Sequence, residues 1–224
     1  MEKYSGCLLI PAYNEEKHIF DLIQRIDGIL PILVVDDGSI DNTVKIATNA
    51  GTTVFRQEVN QGKGAALVRG FKEAIRLGYD YVITLDADGQ HDPAELYKFI
   101  NLFEKNKTDL IIGYRDFKQM PWVRRISNTM GTVAFSWAMG QKIQDNQSGY
   151  RLMSARLMDL VLDSSELGFH FEVEVIVRCL KAGYSLDWVP IRTIYADETS
   201  HIRPLQHLFH FSRMVLQTRK KMRS

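Results

Sequence analysis

Short apolar runs rich in β-branched residues alternate, through the first half of the chain, with longer stretches in which apolar side chains recur every three or four positions. The runs at 6–10, 32–35, 54–55, 81–85 and 110–113 predict five buried strands. Helical spacing fills the gaps. Ile19, Leu22, Ile23 and Ile26 predict a helix over about 16–28, and Val44, Ile46 and Ala47 a short one that Asp41 or Asn42 caps. Leu67, Phe71, Ile75 and Leu77 predict a third helix that stops at Gly78. Leu96, Phe99, Ile100 and Phe103 predict a fourth, opened by Pro93. Such alternation calls for an α/β fold, a mostly parallel sheet with helices on both faces.

After Arg115 the pattern changes. Trp122, Val123, Ile126, Met130, Val133, Phe135, Trp137 and Met139 predict an aromatic, amphipathic helix over about 122–140, with Arg124 and Arg125 near its start. Helices follow over 155–162 and 171–182, then short strands at 186–189 and 192–195 around Pro190. From Pro204 a further amphipathic helix carries Leu205, Leu208, Phe209, Phe211, Val215 and Leu216. No internal repeat or low-complexity linker marks a boundary, so the chain divides near Arg115, into 1–115 and 116–224.

Three strand ends that should share one edge of the sheet carry acidic loops: Glu15, Asp36-Asp37, and Asp86-Ala87-Asp88. Two readings fit the segment 86–93. Two carboxylates one residue apart suit a divalent cation shared with substrate phosphates, since Mg²⁺ and Mn²⁺ take oxygen ligands. The same residues also make a plain Asp-rich turn capping the next helix. Asp36-Asp37-Gly38-Ser39 divides in the same way, although adjacent acids at a buried strand end are costly without partners. Gly62-Lys63-Gly64 sets a cation ahead of a helix N-terminus, which suits an anion, but lacks the spacing of a P-loop. His91 is a ligand by type, or a solvated residue at a helix start.

Composition narrows the classes. The 224 residues carry a net charge of +1, which speaks against a general nucleic-acid binder. Cys7 and Cys179 lie far apart in apolar surroundings and read as buried free thiols of a reducing compartment. No apolar run is long enough to span a bilayer, and the N-terminus lacks signal-peptide character. The expected location is cytoplasmic, either free or peripheral at the cytoplasmic face of a membrane. For the latter, the 122–140 helix and the basic C-terminal helix would turn apolar faces to lipid and Lys and Arg to headgroups. The competing reading packs most of both faces on the core.

Taken in order, Pro11-Ala12-Tyr13-Asn14-Glu15, Val35-Asp36-Asp37-Gly38-Ser39, Asn60-Gln61-Gly62-Lys63-Gly64, the 86–93 block, Gly113-Tyr114-Arg115 and Ser148-Gly149-Tyr150-Arg151 resemble the motifs of family 2 glycosyltransferases. The resemblance is closest to the polyprenyl-phosphate sugar synthases of dolichol-phosphate mannosyltransferase type. It implies the Rossmann-like GT-A fold, with 1–115 as a nucleotide-sugar-binding half and 116–224 as an acceptor-side half. It also implies an inverting transfer of a hexose from a nucleotide-diphospho-sugar (GDP-mannose or UDP-glucose type) to a polyprenyl phosphate. Mg²⁺ or Mn²⁺ would be held by Asp86 and Asp88 with Gln90, and offset charge on the departing diphosphate. Pro11, Tyr13 and Glu15 would contact base and ribose, and Asp37 would accept from the base. Lys63, Asp86, Ala87 and Arg203 would complete the donor site, Arg203 standing near His201, where many relatives carry Lys. Asp88, Arg115 and Asp145 are the implied catalytic residues, with Arg115 and Arg124 or Arg125 as phosphate clamps and Asp145 as base or acceptor positioner; Arg124 and Arg125 equally fit a solvated helix face, and Asp145 a structural loop aspartate. Arg151 serves the site or makes a structural ion pair.

Relatives often add transmembrane helices, so surface attachment, a membrane-protein partner or a soluble acceptor all fit this chain. Two rivals remain: a family 2 transferase acting on a hydroxyl acceptor of a cell-envelope glycan, and a catalytically silent nucleotide-sugar-binding module. A sugar nucleotidyltransferase would carry a Gly-rich basic loop after its first strand, where Pro11-Ala12-Tyr13-Asn14-Glu15 stands.

Overall fold

The computed structural model describes residues 4–26, 28–117, 122–164, 171–192, 215–216, 218–220 and 222. Among them, β1 (Gly6–Ala12), β2 (Ile32–Asp36), β3 (Thr53–Arg56), β4 (Tyr81–Thr84), β5 (Leu110–Arg115), β6 (Arg151–Ser154) and β7 (Leu186–Ile191) form one sheet in the order β3-β2-β1-β4-β6-β5-β7. All neighbours are parallel except β6, which runs antiparallel to both β4 and β5. The helices are α1 (Ile19–Ile26), α2 (Thr43–Asn49), α3 (Lys63–Arg76), α4 (Leu96–Asn106), α5 (Trp122–Met139), α6 (Ala155–Leu160) and α7 (Phe171–Lys181).

Strand alternation sorts the core into two layers. Cys7, Leu9, Leu33, Val35, Val82, Leu110, Ile112 and Met153 point to one face, against Phe71 of α3, Phe135 and Met139 of α5, Leu157 of α6 and Ile176 of α7. Leu8, Ile10, Val34, Ile83, Ile111 and Leu152 point to the other, against Ile19 and Ile23 of α1, Ala47 of α2 and Phe99 of α4. The expected α/β sheet with helices on both faces is therefore present, and both cysteines are buried free thiols. Burial pushes each thiol up to about 12.

Local differences have physical causes. The first helix starts at Ile19 rather than near 16, and ahead of it Glu15 and Glu16 give their backbone N–H groups to Thr43 Oγ1 (2.8 Å) and Asp41 Oδ2 (3.2 Å). Asp41, not Asn42, serves the start of α2, accepting from Thr43 N at 3.0 Å. Pro190 does not divide two strands. It sits inside β7, which pairs only with β5, and proline is tolerated on such an edge. The second of those expected strands (192–195) and the start of the C-terminal helix fall largely outside the described residues, as do Arg203 and His201. Among the described residues no helix is long and apolar enough to cross a membrane.

The strands of the second half are tied by Asp109, a buried carboxylate just before β5. It accepts from Ser154 Oγ (2.9 Å), Ser185 N (3.0 Å), Ser185 Oγ (2.8 Å) and Arg156 Nη2 (2.5 Å), so β5, β6, α6 and the entry to β7 meet there. Burial raises its pKa, but the Arg156 and serine hydrogen bonds outweigh that and hold it at about 2. Asp109→Asn should cost about 1–2 kcal/mol at pH 7 in urea unfolding. Because the folded carboxyl titrates below its unfolded value, this contribution is complete above about pH 4 and disappears as pH falls toward 2. The stability curves of wild type and variant should converge over that window.

Candidate active site

β1, β2 and β4 are adjacent and parallel, so their C-terminal ends form one edge, and the chain changes direction across the sheet between β1 and β4. The loops there are clasped to one another. Asn14, with φ at 55°, donates its backbone N–H to Ser39 Oγ (2.9 Å) while its Oδ1 accepts from Ile40 N (3.0 Å). Pro11 is half-buried at the end of β1, and the Tyr13 ring stands exposed beside it.

Asp37 is spent largely on the protein itself. Its carboxylate accepts from Gln61 N (2.8 Å), Gly62 N (2.8 Å) and Gln57 Nε2 (3.1 Å), and so shapes the loop that opens α3. Gly38, with φ at 78°, lies so close to this loop that a Cβ would meet the Val59 carbonyl carbon at 2.7 Å and Asn60 N at 2.8 Å. Asp37, expected to accept from the base, thus first builds the loop presenting Lys63.

Lys63 is the hub. Its Nζ lies 2.6 Å from Asp86 Oδ1, at the end of β4, and 3.0 Å from Glu172 Oε1, in the first turn of α7. Burial opposes charge on both partners. Attraction nonetheless holds the Asp86 carboxyl below the usual carboxylate range and raises Lys63, with His91 assisting from 3.8 Å of Asp86 Oδ2. Ala87 is buried behind, and Asp88 Oδ1 folds back to accept from Gln90 N at 2.9 Å. His91 is no solvated bystander: it is buried, its ring 5.2 Å from Tyr150, which stacks on Phe99 at 4.5 Å. Gly149 completes the wall. A Cβ there would meet Asp86 Oδ2 at 2.4 Å.

At the end of β5, Arg115 grips Asp145 with two parallel bonds, Nε to Oδ2 at 2.7 Å and Nη2 to Oδ1 at 3.1 Å. Asp145 is buried and also accepts from Gln147 N at 3.0 Å. In this arrangement its carboxylate is paired with Arg115. The pair lines a small polar recess with Asn128, Gly131 and Thr132 of α5 and Gln147. Arg151 is structural: buried, it donates to the carbonyls of Ser148 (2.7 Å), Glu172 (2.6 Å) and Asn146 (3.1 Å), bracing the 145–150 loop against α7. Arg125 is exposed on α5. Sequence reasoning missed Glu172 and held Gly149 and Arg151 only as members of the 148–151 motif, because nothing in their spacing announces that α7 and the loop before β6 return to the end of β4.

The donor set fits Mg²⁺ or Mn²⁺ shared with a substrate. Among the described residues no group of three or more His, Cys, Asp or Glu gathers to hold a metal alone. Two carboxylates completed by phosphate oxygens is a usual Mg²⁺ arrangement. Asp86 already binds a cation, the Lys63 ammonium. His91 Nδ1, Asn146 Nδ2 and Ser148 Oγ are buried without hydrogen-bond partners among the described residues, as polar walls awaiting a polar ligand are.

Comparison with known proteins identifies a family and a shared fold. The family model described as "Glycosyl transferase family 2" matches residues 7–159. The chain is 32% identical over 217 residues to the UDP-N-acetylglucosamine–dolichyl-phosphate N-acetylglucosaminyltransferase of Methanococcus voltae, covering 85% of this chain and 86% of that one. It is 30% identical over 202 residues to the polyprenol monophosphomannose synthase of Mycolicibacterium smegmatis, covering 82% and 75%. Among solved structures, glucosyl-3-phosphoglycerate synthase of Mycobacterium tuberculosis, in complex with Mn²⁺, UDP-glucose and phosphoglyceric acid, shares the fold. The TM-score is 0.73 at 22% identity, covering 96% of this chain and 78% of that one.

Two substitutions probe this geometry. Gly149→Ala should push Asp86 off its position and weaken Mn²⁺–nucleoside diphosphate binding about tenfold or more by calorimetry, with only a modest loss of thermal stability. Lys63→Met should remove the resident cation from Asp86. Mn²⁺ binding to nucleotide-free protein, read by electron paramagnetic resonance, should then tighten several-fold while nucleoside diphosphate affinity falls.

Proposed function

The chain belongs to glycosyltransferase family 2, and we propose that it transfers a hexose from a nucleotide-diphospho-sugar to a polyprenyl phosphate, inverting the anomeric centre. The observation that carries this reading is the pairing of two anion-seeking places at one sheet edge. Lys63 at the N-terminus of α3 beside Asp86 is one; the Arg115 recess against α5 is the other. Relatives named for dolichyl-phosphate and polyprenol-phosphate products support the acceptor class.

The donor would lie across the ends of β1, β2 and β4. Tyr13 offers an exposed ring to the base, and Pro11 and Glu15 flank it. Asp37 keeps the 60–64 loop in place, so the backbone N–H groups and positive dipole end of α3 face the diphosphate. Lys63 is held between two carboxylates and can turn its ammonium onto a phosphate oxygen. Asp86 and Asp88, with Gln90 nearby, would hold Mg²⁺ or Mn²⁺, whose charge offsets the negative charge developing on the departing nucleoside diphosphate.

A phosphate monoester is largely dianionic near pH 7, its second pKa being about 6, and attacks the anomeric carbon without a general base. This matches the state of Asp145, whose carboxylate is committed to Arg115. Arg115, at the wall of the recess, would orient the acceptor phosphate with its planar guanidinium. A hydroxyl acceptor would instead need a free carboxylate in reach of the proton.

The test is a panel of UDP-N-acetylglucosamine, UDP-glucose and GDP-mannose with a short polyprenyl phosphate, in Mg²⁺, Mn²⁺ or EDTA, following release of nucleoside diphosphate. One donor should give acceptor-dependent, metal-dependent release, and Asp88→Asn should lower kcat by about a hundredfold or more. Asp145→Asn, which loosens Arg115, should act mainly on the acceptor KM. Donor binding without release under every condition would remove the lipid-phosphate assignment.

A further inference from the structure

Helix α5 has two opposed faces, and only one belongs to the fold. Phe135, Ala138 and Met139 are buried in the core, and Asn128, Gly131 and Thr132 face the Arg115 recess. On the far side, Trp122, Ile126, Met130, Val133 and Trp137 are 51–74% exposed. At 100° per residue these five fall within an arc of about 80°, centred opposite the core face, and run about 22 Å along the axis. Scattered exposed apolar residues are normal, but an aligned row is not. Of the twelve large apolar side chains exposed among the described residues, five stand in this row, whereas α1 and α4 each expose one.

Charge and residue type say what covers the row. α5 contains no acidic residue; Arg125 is exposed on it, and Arg124 precedes it in sequence. The C-terminal helical segment extends the same surface. Arg219 donates to the Trp137 carbonyl (2.6 Å) and sets its guanidinium 4.7 Å over the Trp137 ring, beside exposed Leu216 and Lys220. The last 26 residues hold six Lys or Arg and no Asp or Glu, in a chain whose net charge is only +1. Tryptophan at both ends of an apolar row, with Arg125 and Arg219 for cations and no acidic residue on the helix itself, matches a helix lying in the headgroup boundary of an anionic bilayer. A protein groove would need apolar anchors but not this one-signed flank.

We propose that the outward row of α5, with the Arg219–Trp137 junction and Lys220 next to it in the chain, docks this protein onto an anionic membrane surface. The proposal stands on the exposed helix and not on the acceptor assignment. Joined to that assignment, it sets the recess on the other side of α5 beside the plane where lipid phosphates lie.

Flotation with acceptor-free vesicles, phosphatidylcholine with and without 30% phosphatidylglycerol, tests it without donor or polyprenyl phosphate. Wild type should bind the anionic vesicles at least tenfold better than the neutral ones, with loss at high salt. Trp122→Gln/Met130→Gln/Val133→Gln should lose at least tenfold in binding. Its circular dichroism and thermal midpoint should match wild type, as should its turnover of a short, detergent-dispersed acceptor. No vesicle binding by wild type, or binding that the triple variant leaves unchanged, overturns the proposal. So does a wild-type dimer that the variant turns into monomer, which would assign the row to a second copy. Membrane binding and turnover are separate readouts, so either reading can fail alone.

Discussion

The Lys63 ammonium, held at 2.6 Å from Asp86 and 3.0 Å from Glu172, joins three parts of the chain that no local rule brings together. It stands at the start of α3, Asp86 at the end of β4, and Glu172 at the start of α7. Partly buried charges are tolerable only when paired, so each partner constrains the others. Behind them Arg151 spends its guanidinium on three carbonyls, including that of Glu172. That fixes the 145–150 loop, and with it Gly149 against Asp86. Positive charge next to Asp86 is therefore part of the fold before any substrate arrives, and a metal held there, as proposed, would compete with a side chain.

The same economy appears at Asp37 and Asp145. Both acids are buried at loop ends, and both use most of their acceptor capacity on the protein: one shapes the loop before α3, the other aims Arg115. Carboxylates that build loops keep cationic and amide donors aimed outward, which suits a protein whose proposed substrates both carry phosphate. Asp88 accepts from the amide of Gln90 within its own turn. α5 separates the two environments, polar recess on one side and apolar row on the other.

Much was legible in the order of residues. Short apolar runs alternating with segments of helical spacing determined the sheet and the helices on its two sides, because strands buried on both faces need helices to cover them. The acidic strand ends after β1, β2 and β4 were placed on one edge for the same reason. What the sequence could not decide was which charge meets which. Asp86 reads as a metal ligand and Lys63 as an anion binder, yet they face each other, because β1 and β4 are neighbours and α3 begins beside them. Nor could periodicity divide α5: Phe135 and Trp137 are both aromatic and two residues apart, but one is in the core and the other in solvent. Spacing along a helix orders residues around its axis. Which arc is covered depends on where the sheet and the 145–150 loop stand, and that is a property of the tertiary structure alone.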